Sequence, residues 1–248
     1  MSKQNRDEGR TQRAAAVRAE QARKERNRRV LVIVGIVVLL GAVVAAGAWY
    51  GGGGGNDKAS STSSSSSLKA RDASLIVGKD SAPVKVVVYE DFLCPFCREL
   101  ETSTRDFLAE NADKGKVQVT YQPIHLLQQY PYSGKALNAW AAVLKHASPA
   151  AALELHNILY DNQPYEQSSG AVTDAQIAAW VKQAGGDTAA VRDAMKSQDT
   201  TFFAAADKAM ADAHITGTPT VFINGKELPV SNVTTMVSQL EAAVQQGS

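Results

Sequence analysis

Val30 to Tyr50 is a run of 21 residues without one charged side chain. At 1.5 Å rise per residue a helix of that length spans roughly the 30 Å hydrocarbon core of a bilayer. Trp49 and Tyr50 close its far end, where amphipathic rings favour the membrane interface. On the near side, Met1 to Arg29 holds ten Lys/Arg against four Asp/Glu, or +6; the rest of the chain holds 16 against 21, or −5, which together give the net +1. A basic arm alone could suit nucleic acid or a solvated helix, but beside an apolar run it reads as the cytoplasmic flank of a span. The bulk of the chain is then expected outside the membrane. Ala46-Gly47-Ala48 offers a small-x-small cleavage site, yet signal-peptide apolar cores are usually about 7–15 residues, so an uncleaved anchor is the expected reading.

Gly51 to Ser67 is five glycines followed by a serine-rich tract, a composition that buries too little apolar surface to offset its ordering entropy. The expected organisation is therefore a basic cytoplasmic segment (1–29), a transmembrane signal-anchor (30–50), a Gly/Ser-rich linker (51–72) and one folded domain (73–248) of ordinary size. Two cysteines three residues apart cannot staple distant parts of a fold, which excludes a disulfide scaffold.

The folded part opens with two β-rich segments, Ala73 to Val77 and Val84 to Tyr89, the second a nearly continuous β-branched run suited to a strand buried on both faces. After Glu90-Asp91-Phe92-Leu93 comes Cys94-Pro95-Phe96-Cys97, leading a helical pattern. Leu100, Thr104, Phe107, Leu108 and Asn111 fall on the stripe of Cys97, while Arg98, Glu99, Glu101, Arg105 and Asp106 fill the other faces. Cys94 lies at the helix tip, where free N–H groups and the dipole favour a thiolate, and Pro95 suits the first turn. Dithiol redox chemistry needs that asymmetry: one sulfur exposed and ionised, the other shielded one turn on. Zinc would need four ligands, and no other cysteine exists; His125, His146, His156 and His214 are scattered, and His125, His146 and His156 read as ordinary core or surface residues.

Downstream, Lys116 to Gln122 reads as a strand. About ninety residues of helical periodicity follow: Ala136 to His146, Ala150 to Tyr160, Asp174 to Gln183, Thr188 to Met195 and Thr201 to His214. Thr173-Asp174 and Gly186-Asp187 give start signals and Gly185-Gly186 a stop. Thr216-Gly217-Thr218-Pro219 then enters a short strand, Thr220 to Ile223, with Asn224-Gly225 as a hairpin signal and a terminal helix from Ser231 to Gln246. Read from its neighbours, Pro219 is a turn proline.

This order resembles the thioredoxin fold and, more narrowly, the DsbA-like thiol:disulfide oxidoreductases, over about Ser74 to the C-terminus. The resemblance implies an α/β thioredoxin fold with an inserted helical domain (about 125–214), here preceded by one N-terminal transmembrane helix. It implies a cis Pro219 beside the sulfurs, substrate received by the Thr218 backbone and the face around Pro219, Pro95 and Phe96, and a redox-active Cys94–Cys97 disulfide with no separate cofactor and no metal. DsbA-like sequences often carry an acid three residues before the first cysteine, here Asp91. It is favoured over Glu90 as proton acceptor, since strand alternation would let only one point inwards. The best-known DsbA has a histidine at the position of Phe96; phenylalanine supplies no cation, so a weaker oxidant is expected.

The implied function is an extracytoplasmic, single-pass membrane enzyme introducing disulfides into secreted or cell-envelope proteins. Reduced or unfolded secreted proteins are its substrates, a membrane reoxidase of the DsbB or vitamin-K-epoxide-reductase type its partner, the bilayer its anchor through residues 30–50, and nucleic acid no partner. The alternatives are a disulfide isomerase or reductase, or a surface-anchored binding or chaperone module with an inert disulfide.

Overall fold

The computed structural model describes residues 67–229 and 232–247. The expected basic segment, the apolar run Val30 to Tyr50 and most of the Gly/Ser tract lie outside the described residues. Among those described, no helix is long and apolar enough to cross a membrane.

A six-stranded sheet runs in the order β1-β2-β4-β3-β5-β6. Its strands are β1 (Leu68–Arg71), β2 (Ser74–Val77), β3 (Val84–Glu90), β4 (Val117–Pro123), β5 (Thr220–Ile223) and β6 (Lys226–Glu227). β3 and β4 are parallel, joined through helix α1 (Pro95–Asp113), and β5 returns antiparallel on the other side of β3. This is a mixed α/β thioredoxin-like fold with a helical insertion. The insertion comprises α2 (Pro131–His146), α3 (Pro149–Asp161), α4 (Asp174–Gln183), α5 (Ala189–Ala194) and α6 (Thr200–Asp212), and α7 (Val233–Gln246) closes the chain against α1.

The sheet begins inside the stretch expected to be linker. β1 pairs with β2 across a turn in which Asp72 has φ 48, and three of its four residues are exposed. Main-chain pairing rather than burial holds such an edge, so the strand left no apolar signature. Gly78 is fixed by sterics: its φ is +104, and a Cβ there would lie 2.4 Å from the carbonyl oxygen of Val117. β3 is central, but it is not buried equally on both faces: Val84, Val86 and Val88 are buried while Lys85, Val87 and Tyr89 are half-buried. Its Val-rich composition serves one closed face and one half-covered face, where Tyr89 meets Phe222 edge-on at 5.9 Å.

Local signals place the helices. Thr173 and Gln176 form a reciprocal capping box on α4, and Asn224 (φ 50) with Gly225 (φ 79) makes the tight turn between β5 and β6. α5 is capped by Thr188 rather than by the expected Gly186-Asp187, because its hydroxyl reaches the Val191 N–H. α2 is buried on most of its surface, with Trp140 fully enclosed and its indole N–H donating to the Ala152 carbonyl at 2.9 Å. Phe92, just before the cysteines, is also fully enclosed and packs on Trp140, His156 and Tyr160. The insertion thus grips the loop that carries the dithiol.

Candidate active site

β3 delivers the chain to Cys94, which is the N-cap of α1 in extended conformation (φ −68, ψ 119), with Pro95 in the first turn. The Cys94 carbonyl accepts from Cys97 N (3.1 Å) and Arg98 N (3.2 Å), starting the helix. Facing it is the loop before β5, in which Thr218-Pro219 is a cis peptide. The Cys94 Sγ donates to the Thr218 carbonyl at 3.2 Å, joining residues 124 apart in sequence. A third support was invisible in the sequence. Gln163, just beyond α3, donates from Nε2 to the carbonyls of Phe92 (2.9 Å) and Cys94 (3.0 Å).

Both cysteines are free thiols, and neither is open to solvent: Cys94 is 5% exposed and Cys97 1%. The expected contrast of exposure is therefore small, because the cis-proline loop lies over the first sulfur. The contrast that exists is electrostatic. Cys94 is lowered to about 6: the Cys97 thiol donates to it first, burial opposes, and the Thr218 side chain and the N–H groups of Cys97 and Phe96 add further support. No acidic residue occupies the first turn of α1 to weaken that field. Cys97 moves the other way, well above an ordinary thiol, chiefly by burial and then because it donates to Cys94, with the charges of Cys94 and Glu90 adding to the rise. Pro95 and Phe96 are exposed, Phe96 by 59%, whereas Pro219 is buried and Thr218 half-buried.

Asp91, the expected proton acceptor, is held by a set of donors. Its Oδ1 accepts from Leu93 N (2.9 Å), and its Oδ2 accepts from Leu126 N and Leu127 N (3.0 Å each) and from the Ser133 hydroxyl (2.8 Å). Four donors fix this carboxylate as a clamp between the dithiol loop, the chain after β4 and α2. Strand alternation did not discriminate because Asp91 lies beyond the last residue of β3; Asp91 and Glu90 are both buried. It is Glu90 whose charge acts on Cys97. Burial raises Glu90 above the ordinary carboxylate range, opposed by His156, whose Nε2 donates to Oε1 at 2.6 Å.

Two further readings change. Glu101, expected on an outer face of α1, is 4% exposed and accepts from Arg105 Nε at 3.0 Å. His156, expected to be ordinary, is fully buried between Glu90 and Glu101. Helical spacing assigned Glu101 outwards because it could not register that α3 covers this side of α1. His125 is half-buried and packs edge-on against Phe203, and His146 is exposed at the end of α2.

Two clefts flank the helix tip. One of about 430 Å³ is lined by Phe96, Thr216–Thr220 and Met236; the other, of about 600 Å³, lies between Pro95, Arg98 and the Gln163–Gln167 segment.

A strand, a C-x-x-C at a helix start and a cis-proline loop against the first sulfur together form a dithiol site. The thioredoxin family profile matches residues 70–244, and the chain belongs to that family. Over 156 residues it is 28% identical to the Na(+)/H(+) antiporter NhaA 3 of Salinispora tropica, covering 62% of this chain and 22% of that protein. Over 67 residues it is 42% identical to the probable disulfide bond formation protein D of Bacillus cereus, 27% of this chain and 28% of the other. The chain thus spans under a third of the length of the curated relatives it matches. Among solved structures it is similar to oxidised DsbA of Mycobacterium tuberculosis, with TM-score 0.54 and 25% identity over 68% of this chain and 88% of that one.

Proposed function

We propose that this chain is an extracytoplasmic thiol:disulfide oxidoreductase that introduces disulfide bonds into secreted or cell-envelope proteins through Cys94 and Cys97. The observation that carries this reading is the placement of the two sulfurs: Cys94 caps α1 with its Sγ 3.2 Å from the Thr218 carbonyl of the facing loop, and Cys97 is buried one turn on, with Cys94 lowered to about 6 and Cys97 raised by burial. In the oxidising direction a substrate thiolate attacks Cys94 Sγ of the disulfide. The Cys94–Cys97 bond breaks, a substrate–Cys94 bond forms, and Cys97 leaves with the electron pair and takes up a proton. The second substrate thiolate attacks the substrate sulfur of the mixed disulfide, and Cys94 leaves as a stabilised thiolate. The substrate is oxidised by two electrons and the enzyme dithiol holds them, to be passed to a membrane reoxidase of the DsbB or vitamin-K-epoxide-reductase type. Thr218 and Pro219 receive the substrate backbone, and Pro95 and Phe96 present the apolar contact beside the sulfur. Similarity to a protein named for disulfide bond formation and to DsbA supports this direction.

In the same proposal residues 30–50 anchor the chain, residues 1–29 remain cytoplasmic and the Gly/Ser tract up to Ser67 spaces the folded domain from the bilayer. Outside the cytosol no thioredoxin or glutathione poise keeps the pair reduced, which favours oxidation. The test is oxidative refolding of a reduced, unfolded secreted ribonuclease by the oxidised full chain. Cys94→Ser abolishes it; equal refolding by Cys94→Ser would assign the chain to binding instead. A potential at or below thioredoxin's about −270 mV would turn the direction to reduction. Protease protection of the N-terminal arm in sealed vesicles checks the topology.

A further inference from the structure

Beneath Cys97 lies a charge cluster that the dithiol and the cis-proline loop do not by themselves explain. Glu90 ends β3, Glu101 sits one turn beyond Cys97 on α1, and His156 comes from α3 in the helical insertion; each is at most 4% exposed. The imidazole bridges the carboxylates. Nε2 donates to Glu90 Oε1 at 2.6 Å, and Nδ1 lies 3.7 Å from Glu101 Oε1 and 3.5 Å from Asn157 Oδ1. Three rings hold it in place: Tyr121 at 4.6 Å, Tyr160 at 5.1 Å and Phe92 at 5.7 Å. Glu101 is itself tied to Arg105, which reaches on to Asp161.

The ligand-type atoms of Glu90, Glu101 and His156 lie within 4.8 Å of one another, a spacing a metal ion could also use. The 2.6 Å contact is instead that of a charge-assisted hydrogen bond, and Arg105 already occupies Glu101. The chain supplies the positive charge itself. The charged and titratable groups around Glu90 are Cys97 and Glu101 from α1, His156 and Tyr160 from α3, Tyr121 from β4 and the adjacent Asp91, with Arg105 joined through Glu101. Burial and Glu101 both push Glu90 towards its neutral form, and His156 leads the opposition. Burial also works against a charged imidazole, but Glu90 and then Glu101 overcome it and hold His156 at about 9.

We propose that His156 is a positioning residue for the dithiol reaction: its imidazolium, bonded to Glu90, keeps that carboxylate able to take the proton of Cys97 when Cys97 attacks and to return it when Cys97 leaves. This rests on the oxidoreductase reading above. In the attacking direction the Cys97 proton passes to Glu90, the Cys97 thiolate attacks Cys94 Sγ of a mixed disulfide, the Cys94–Cys97 bond forms, and the substrate sulfur departs with the electron pair as a thiolate. Without the imidazolium, burial and Glu101 would push Glu90 further towards its neutral form, which cannot accept a proton. The helical insertion, through α3, thereby sets the proton supply of the buried sulfur as well as the shape of the clefts.

The test treats the reduced full chain, kept in a mild detergent, with glutathione disulfide between about pH 5 and 9, quenching with acid and separating mixed from intramolecular disulfide by mass. In His156→Gln the mixed disulfide forms with the wild-type pH profile but accumulates. Ring closure slows by about tenfold or more at neutral pH and its profile moves alkaline, in line with loss of a general base. Glu90→Gln slows ring closure likewise, and adding His156→Gln to it changes nothing further. An unchanged closure rate and profile in folded His156→Gln, or the same slowing on the Glu90→Gln background, would overturn the proposal while leaving the oxidoreductase reading intact. No mixed disulfide in the wild type would sink both. Should His156→Gln not fold, the imidazole nitrogen shifts of wild-type His156 decide: charged at neutral pH supports the role, neutral overturns it.

Discussion

The sharpest test of the site is the titration of Cys94 in the reduced chain, followed by pH-dependent alkylation with each thiol located by mass. With Cys94 at about 6 against an ordinary thiol's 9.0, about 90% is thiolate at pH 7 instead of about 1%. That roughly 90-fold gain is not all rate. With a Brønsted slope of about 0.4–0.5, a drop from 9.0 to about 6 lowers intrinsic nucleophilicity by about 15–30-fold, leaving a net advantage in attack of only about 3–6-fold. Departure of Cys94 from a mixed disulfide gains from the same drop with no such offset. The depressed pKa thus favours departure of Cys94 more than its attack. It also bears on stability, since the folded value lies below the unfolded one. The contribution is complete above about pH 9 and is lost as pH falls through about 6. At pH 7 it is on the order of 1 kcal/mol in favour of the reduced fold, equivalent to a potential a few tens of mV more oxidising. Alkylation of Cys94 should therefore be half-maximal near pH 6 and flat above about 7, with Cys97 unreactive until the chain is unfolded. A midpoint above about 8, or modification of both thiols together, would refute the reasoning.

Asp91→Asn removes a charged acceptor from three N–H groups and a hydroxyl; it should cost about 2–4 kcal/mol by denaturant midpoint while Cys94 still titrates near 6. An unchanged midpoint would mean the clamp carries no stability. Gly78→Ala drives a Cβ to 2.4 Å from the Val117 carbonyl in a left-handed conformation, so a loss of about 2 kcal/mol or more is expected in thermal unfolding. Because His156 is raised to about 9 in the fold, its stabilising contribution is present at pH 6.5 and lost as pH rises through about 9. The stability difference between wild type and His156→Gln in urea should shrink over that interval, and a constant difference would contradict the imidazolium assignment.

The order of elements and the identity of the two sulfurs were legible in the chain itself. β-branched runs, a helical stripe on Cys97, the Thr173 cap and the Asn224-Gly225 turn are local effects, settled by neighbours a few residues away. The helix-tip position of Cys94 follows from the same local rules, and so does the sense in which its thiol is tuned. What folding alone decided is which distant groups converge on that dithiol. Thr218 arrives from 124 residues away, Gln163 and His156 come from the insertion, and Glu101 turns inward because α3 covers it. Periodicity assigns a residue to a face of its own helix; it carries no record of what packs there. Burial and the strength of a charge are properties of the surrounding medium, and that medium exists only once the sheet and the helical insertion have closed around the sulfurs.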